Sequence, residues 1–142
     1  MKKLLILSAL LFISLFAFSQ KQEISFDKKT GIISVDGVEY GKIHKENAPG
    51  QMGVNKNFTI TNMNDEELIY MVFNTQARRD AYGRKTGETD TWYTINFLES
   101  GRHSTRQGTM NGKGAVKLVV KNELIENGKI DAEAENKFHM KY

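Results

Sequence analysis

The sequence predicts an α+β domain: an antiparallel sheet of five to seven strands, built from hairpins, with a C-terminal pair of short helices packed on it. Three observations carry this reading. From Gln22 to Asn74, and again from Thr91 to Leu98, apolar and polar residues alternate in short runs, the period of a half-buried strand. Asp36-Gly37 separates two of those runs, and Asp-Gly is a strong hairpin signal. After Ala115 the apolar spacing changes to mixed threes and fours, the period of a helix.

The elements follow in order. Ile24 and Phe26 share one face of a strand over 22–26, and Asp27-Lys28-Lys29-Thr30-Gly31 is a turn cluster. Ile32–Val35 and Val38–Tyr40 flank Asp36-Gly37. Both central residues of a type I′ turn need positive φ, which this pair tolerates. The turn sets Val35 opposite Val38 and Ile33 opposite Tyr40, with all four on one side and Ser34 and Glu39 on the other. Glu46 to Asn57 holds the single proline, Pro49, with Gly50 and Gly53, and reads as a loop. Phe58-Thr59-Ile60 resumes the alternation, and Met63 to Glu66 is a turn. Leu68 to Phe73 is apolar on both faces, as in a central strand covered on each side. The polar stretch 75–90 reads as a long loop or a short surface helix. Thr91 to Leu98 is a strand, Ser100-Gly101 a turn, and His103 to Thr109 a short polar edge strand.

Ala115 to Glu126 reads as a helix, although the β-branched Val116, Val119 and Val120 argue for a strand instead. Gly128 is placed to end that helix in the left-handed conformation. Asp131 then caps a second helix over 132–142. Glu133 and Glu135 lie near its positive end, Lys137 and Lys141 near its negative end, and Phe138 is its anchor.

Residues 1–19 read as a secretory signal, with Lys2 and Lys3 before an apolar run and Ala17-Phe18-Ser19 as the cleavage site. The run is too short for a transmembrane helix. Its removal takes 19 of the 142 residues and leaves a single domain over 20–142. Two of the 20 basic residues go with it, so 18 remain against 17 acidic ones. A nearly balanced domain has no field to gather nucleic acid, and no nucleic-acid partner is expected. The chain has no cysteine. That excludes disulfides, thiol nucleophiles, cysteine metal sites and a lipid-modified cysteine after the signal. The expectation is a periplasmic or secreted protein that is not embedded in the membrane.

Chemistry-bearing motifs are few. His44, His103 and His139 have no partner at ligand spacing, so no metal or cofactor is expected. The acidic run 62–67 lacks the central glycine of a calcium loop. Leu98 breaks the nucleophile-elbow pattern around Ser100. Gly108, Gly112 and Gly114 lack the phosphate-loop spacing and read as entry to a helix. Asn57-Phe58-Thr59 matches a glycosylation acceptor but sits in a strand. The one patch suited to an anion or a polysaccharide is Arg78, Arg79, Arg84 and Lys85, with Tyr82 between them and Trp92 nearby. These are candidate binding residues, and a solvated loop face is the competing explanation.

The Phe-Ser-Gln end of the signal, Ile33-Ser34-Val35-Asp36-Gly37-Val38-Glu39-Tyr40, Phe58-Thr59-Ile60, Glu67-Leu68-Ile69-Tyr70, Phe97-Leu98-Glu99-Ser100-Gly101, Leu124-Ile125 and the Phe138–Tyr142 end form a pattern. It resembles small exported proteins of unknown function from Bacteroidota-type bacteria. The resemblance implies export and a related fold, and carries no mechanism. In such proteins a cysteine can follow the tyrosine of the second hairpin strand; here that residue is Gly41. The expected function is a non-catalytic binding or accessory domain with an envelope protein or glycan as partner. The alternatives are a small hydrolase, marked by a cleft joining His44 or His103 to a carboxylate, and a structural or assembly subunit.

Overall fold

The computed structural model describes residues 22–142; the expected signal over 1–19 lies outside them. Seven strands form one antiparallel meander in chain order: β1 (Ile24–Phe26), β2 (Ile32–Val35), β3 (Val38–Asn47), β4 (Lys56–Thr61), β5 (Glu67–Arg79), β6 (Lys85–Phe97) and β7 (His103–Gln107). Two helices follow, α1 (Gly112–Lys121) and α2 (Ala132–Lys141), separated by the small hairpin β8 (Ile125–Glu126) and β9 (Lys129–Ile130). The α+β architecture, the antiparallel sheet and the C-terminal helical pair are as the sequence predicts.

One face of the sheet is the core. Ile43, Ile60, Ile69 and Phe97 form one row across four strands, and Phe58, Met71, Ile95 and Ser104 form the next. Phe73, Tyr93 and Arg106 form a third. Both helices lie on this face. The Tyr93 hydroxyl lies within hydrogen-bond reach of the Lys56 carbonyl, at 2.9 Å, and of the Met110 carbonyl just before α1, at 3.2 Å. Phe138 of α2 meets Phe97 edge-on at 5.6 Å. Ala115, Val116, Leu118, Val119 and Val120 of α1 are buried. Their 3.6-residue spacing resolves the segment as helix: packing a continuous apolar stripe outweighs the few tenths of a kcal/mol by which valine disfavours helix, on the order of 0.5 kcal/mol each.

The structure corrects the sequence reading at several places. Val35 does pair with Val38 around a turn with φ of 52° at Asp36 and 80° at Gly37. A bulge between Ile33 and Ser34 then sets Ile33 opposite Gly41, not Tyr40. The bulge leaves Ile33 buried while Val38 is 70% exposed, so the expected four-residue apolar face does not form. β3 runs on to Asn47 and β4 begins at Lys56, so the loop is shorter than 46–57. Stretch 75–90 is neither loop nor helix: β5 and β6 continue through it as a ladder from Thr75↔Thr91 to Arg79↔Lys85. Its side chains are polar because this part of the hairpin extends past the helices, and backbone pairing alone makes the strands. The central strand is covered on one face only; Tyr70 and Val72 lie on the side without helices. The first helix stops at Lys121 rather than reaching Glu126. Its left-handed residue is Glu123, φ 53°, and not Gly128. The Glu123 N–H donates to Val120 O and the Leu124 N–H to Val119 O, which closes the helix end in a Schellman arrangement. Gly128, φ 74°, instead turns the β8–β9 hairpin together with Asn127, φ 51°.

Asp131 caps α2 as expected, accepting from the Ala134 N–H at 2.6 Å. Asn111 caps α1, accepting from the Gly114 N–H at 2.8 Å, so Gly112 and Gly114 belong to the helix and not to its approach.

Candidate functional site

The strand alternation that buries the Ile and Phe rows sends the alternate residues to the opposite, helix-free face. One row there runs His44, Thr59, Tyr70, Asn96 and His103 across β3 to β7. The next holds Val72, Thr94 and Thr105, and a third holds Asn74, Trp92 and Gln107. The face combines two aromatic rings with amides and hydroxyls and carries few charges at its centre.

Its polar groups are held in place by one another. The Tyr70 hydroxyl donates to Glu46 Oε1 at 2.6 Å, and Asn57 Nδ2 donates to the same oxygen at 3.2 Å. Both bonds favour the ionised carboxylate, the tyrosine bond more, and hold Glu46 below the usual glutamate range. The same bond, with burial after it, raises the Tyr70 phenol. Asn57 Oδ1 accepts from the Phe73 N–H at 2.9 Å, so this buried side chain extends the β4–β5 ladder by one bond. Asn74 Nδ2 donates to Thr94 Oγ1 at 3.0 Å, and Asn96 Nδ2 to Tyr70 O at 3.1 Å.

The cationic candidates lie on the exposed outer part of the β5–β6 hairpin. Arg78 forms ion pairs with Glu88 and Asp90, both at 2.5 Å. Arg84 pairs with Asp80 at 2.8 Å, and its guanidinium sits 5.2 Å from the Tyr82 ring. Arg79 Nη1 donates to Gly83 O at 2.6 Å, and Arg79 stands opposite Lys85. Arg78 holds Asp90 well below the usual aspartate range, chiefly through its hydrogen bond. Arg78 and Arg84 are thus engaged by the hairpin's own carboxylates. Trp92 is seven residues along β6 from Lys85, about 23 Å at the strand rise. The structure therefore separates Trp92 from Lys85, and groups Trp92 with Tyr70, Asn74 and Gln107 on the open face. Strand alternation from Phe73 and Tyr93 could have identified that face; reading 75–90 as a loop concealed its continuity with the hairpin.

A second constellation lies on the other side of the sheet. Ser104 of β7 and His139 of α2 meet with 2.5 Å between Oγ and Nδ1, and His139 Nε2 is 3.2 Å from Glu135 Oε1. Ser100 Oγ donates to that carboxylate oxygen at 2.5 Å. A carboxylate accepts only, so Nε2 carries the proton and Nδ1 is free to accept from the Ser104 hydroxyl. This is a serine–histidine–glutamate chain in which the two ring nitrogens have exchanged the roles they take in the familiar hydrolases. Ser104 and Glu135 are each 5% exposed. The chain borders a groove of about 590 Å³ that Arg102, Thr105 and Tyr142 also line. The residues are 35 apart in sequence and carry no local signature. His44 and His103 are both exposed, and neither joins this chain. Among the described residues no group of three or more His, Asp or Glu side chains is placed to hold a metal ion, and no helix is long and apolar enough to cross a membrane.

The chain matches no family model, no curated protein and no solved structure.

Proposed function

We propose that this is an exported, non-catalytic binding domain of the periplasm or extracellular space, and that its ligand is a glycan lying across the open face of the sheet around Trp92. The observation that supports this reading is the composition of that face: Trp92 and Tyr70 offer flat apolar surfaces, and Asn74, Asn96, Thr94 and Gln107 offer donors and acceptors around them. Sugar rings need that combination, with C–H faces against aromatic rings and hydroxyls against amides. Trp92 is the single tryptophan, so its fluorescence reports directly on the site. Titrating soluble envelope polysaccharides into the mature protein should shift Trp92 emission saturably. Trp92→Ala should abolish retention on the same polysaccharide immobilised. A flat emission response across neutral and acidic polysaccharides, with no retention, refutes the glycan reading.

The Ser104–His139–Glu135 chain favours a second reading, a small hydrolase of activated acyl groups. In it Ser104 Oγ attacks the acyl carbon while Nδ1 of His139 takes its proton and the protonated ring stays paired with Glu135; the ester C–O bond then breaks as the ring returns the proton to the departing alcohol, and a water deprotonated by the same nitrogen releases the acid from Ser104. Turnover of p-nitrophenyl acetate lost in Ser104→Ala and in His139→Gln would support it. Equal rates in all three proteins would leave the chain as a clamp that ties α2 to β7.

A further inference from the structure

The seam between the two helices holds a pocket whose chemistry neither reading uses. It lies over β7, has a volume of about 480 Å³, and is lined by Arg106, Lys117, Lys121 and Lys141 together with Leu118 and Tyr142. No Asp or Glu lines it. Three elements supply the charges: β7 gives Arg106, α1 gives Lys117 and Lys121, and α2 gives Lys141.

Two independent features mark this as unfinished electrostatics. Arg106 stands in the core row beside Phe73 and Tyr93. Its Nη1 is buried and is the one buried side-chain nitrogen or oxygen with no hydrogen-bond partner among the described residues. A buried guanidinium N–H left unpaired is costly, and native structures satisfy such groups with an acceptor. Second, Lys113, Lys117 and Lys121 follow one another at four-residue spacing on α1, whose sequence GKGAVKLVVK has no acidic residue. Like charges at that spacing repel. None of these lysines, nor Arg106 nor Lys141, takes part in an ion pair among the described residues, whereas Lys137 on the same helix as Lys141 pairs with Glu133 at 2.7 Å. Four cations converging on one pocket that no Asp or Glu lines call for an anion.

We propose that this pocket binds a multiply charged oxyanion, a phosphate or diphosphate group, with the half-buried Arg106 as the directional donor and Lys117, Lys121 and Lys141 closing around it. Arg106 supplies the directional hydrogen bonds that a guanidinium makes to phosphate, and the lysines supply charge without fixed geometry. The group can be free or carried by a lipid head, and the two sources are separable.

Calorimetric titration with inorganic pyrophosphate at 0.15 M salt tests it, next to co-sedimentation with vesicles of phosphatidylglycerol and of phosphatidylcholine. Saturable one-to-one binding of pyrophosphate supports a free ligand. Binding confined to phosphatidylglycerol vesicles supports a lipid-borne one. In either case Arg106→Gln should weaken binding at least about tenfold, the scale of one charge-assisted hydrogen bond. The exposed pair Lys117→Gln/Lys121→Gln should weaken it several-fold without disturbing the fold, which keeps the test valid if Arg106→Gln unfolds. Lys137→Gln removes the same charge from α2 outside the pocket and should change nothing. The proposal is overturned by no saturable binding of either probe. It is equally overturned by binding that the lysine pair leaves intact, or that Lys137→Gln weakens as much. None of these readouts involves Trp92, so the glycan reading stands or falls separately.

Discussion

Gly37 shows how much a single backbone conformation can decide. Its φ of 80° is one that side chains rarely adopt, yet nothing lies within 4 Å of where a Cβ would sit. The cost of Gly37→Val is therefore backbone strain alone, roughly 1–3 kcal/mol, and the thermal midpoint should fall by several degrees; an unchanged midpoint would mean the turn tolerates another form. Gly41 is constrained differently. A Cβ there would lie 2.5 Å from the Thr61 carbonyl oxygen, so the cysteine that the resembling proteins can carry at this position does not fit between β3 and β4 as they stand. Tyr40 carries a titration that couples the sheet to the β8–β9 hairpin, because its hydroxyl accepts from the Ile125 N–H at 3.1 Å. Burial pushes its phenol up from 10.0 to about 12. With the folded value raised, the stability linked to this group is fully present below pH 10 and is lost as pH rises through 12. Tyr40→Phe leaves the Ile125 N–H without its partner, at a cost of roughly 1–3 kcal/mol near neutral pH. Denaturant titrations should show that deficit constant up to pH 10 and shrinking above it. A deficit that stays constant to pH 12 would place the Tyr40 ionisation outside the folding equilibrium.

Among the elements, α2 and the β5–β6 hairpin make opposite predictions. A ten-residue helix is too short to persist alone in water, so α2 exists by docking. Phe138 is 1% exposed and packs on Phe97. Phe138→Ala should cost roughly 3–5 kcal/mol, and a chain ended after Asn127 should lose its cooperative unfolding transition. If the shortened chain melts at the same temperature with the same sharpness, the helical layer contributes nothing to the core. The outer hairpin is exposed from Thr75 to Arg79 and from Lys85 to Thr89, and its ion pairs are solvated. Solvent screening leaves such pairs little to add to stability. Replacing residues 77–89 by Asn-Gly, which joins the paired Gln76 and Asp90 directly, should leave the melting midpoint nearly unchanged. A large drop would assign the hairpin a packing role that its exposure contradicts.

At the scale of the molecule, one seven-stranded sheet has a face covered by two helices and a face left open. The covered face accounts for the fold, and the open face is where we propose that a ligand binds. Export is the premise of that proposal, and it makes a prediction about the chain itself. If the chain is exported, the small residue Ser19 and the change from apolar to polar sequence at Gln20 predict a mature protein that starts at Gln20. Intact-mass measurement after secretion from a native-like host should match residues 20–142; the mass of all 142 residues in the soluble fraction would refute it.

Local rules made much of this protein legible. Asp36-Gly37 names its own turn, Asp131 its own cap, and the alternation of Tyr93, Ile95 and Phe97 its own buried face, because each depends on φ, on one hydrogen bond, or on a period within a few residues. Stretch 75–90 was not legible, because its strands are held by pairing to each other and carry no apolar signal. Neither was the end of the first helix, where Glu123 takes the left-handed role that glycine usually fills and frees Asn127-Gly128 for a hairpin. The candidate sites depended still more on the tertiary structure. Trp92 was visible in the sequence, but its row partners Asn74 and Gln107 come from two other strands, β5 and β7. Ser104, His139 and Glu135 are joined only where α2 lands on β7. Arg106 and the lysines of α1 converge only because both helices dock on the same face. Chain composition sets which charges and rings are available; only long-range packing brings them to one place.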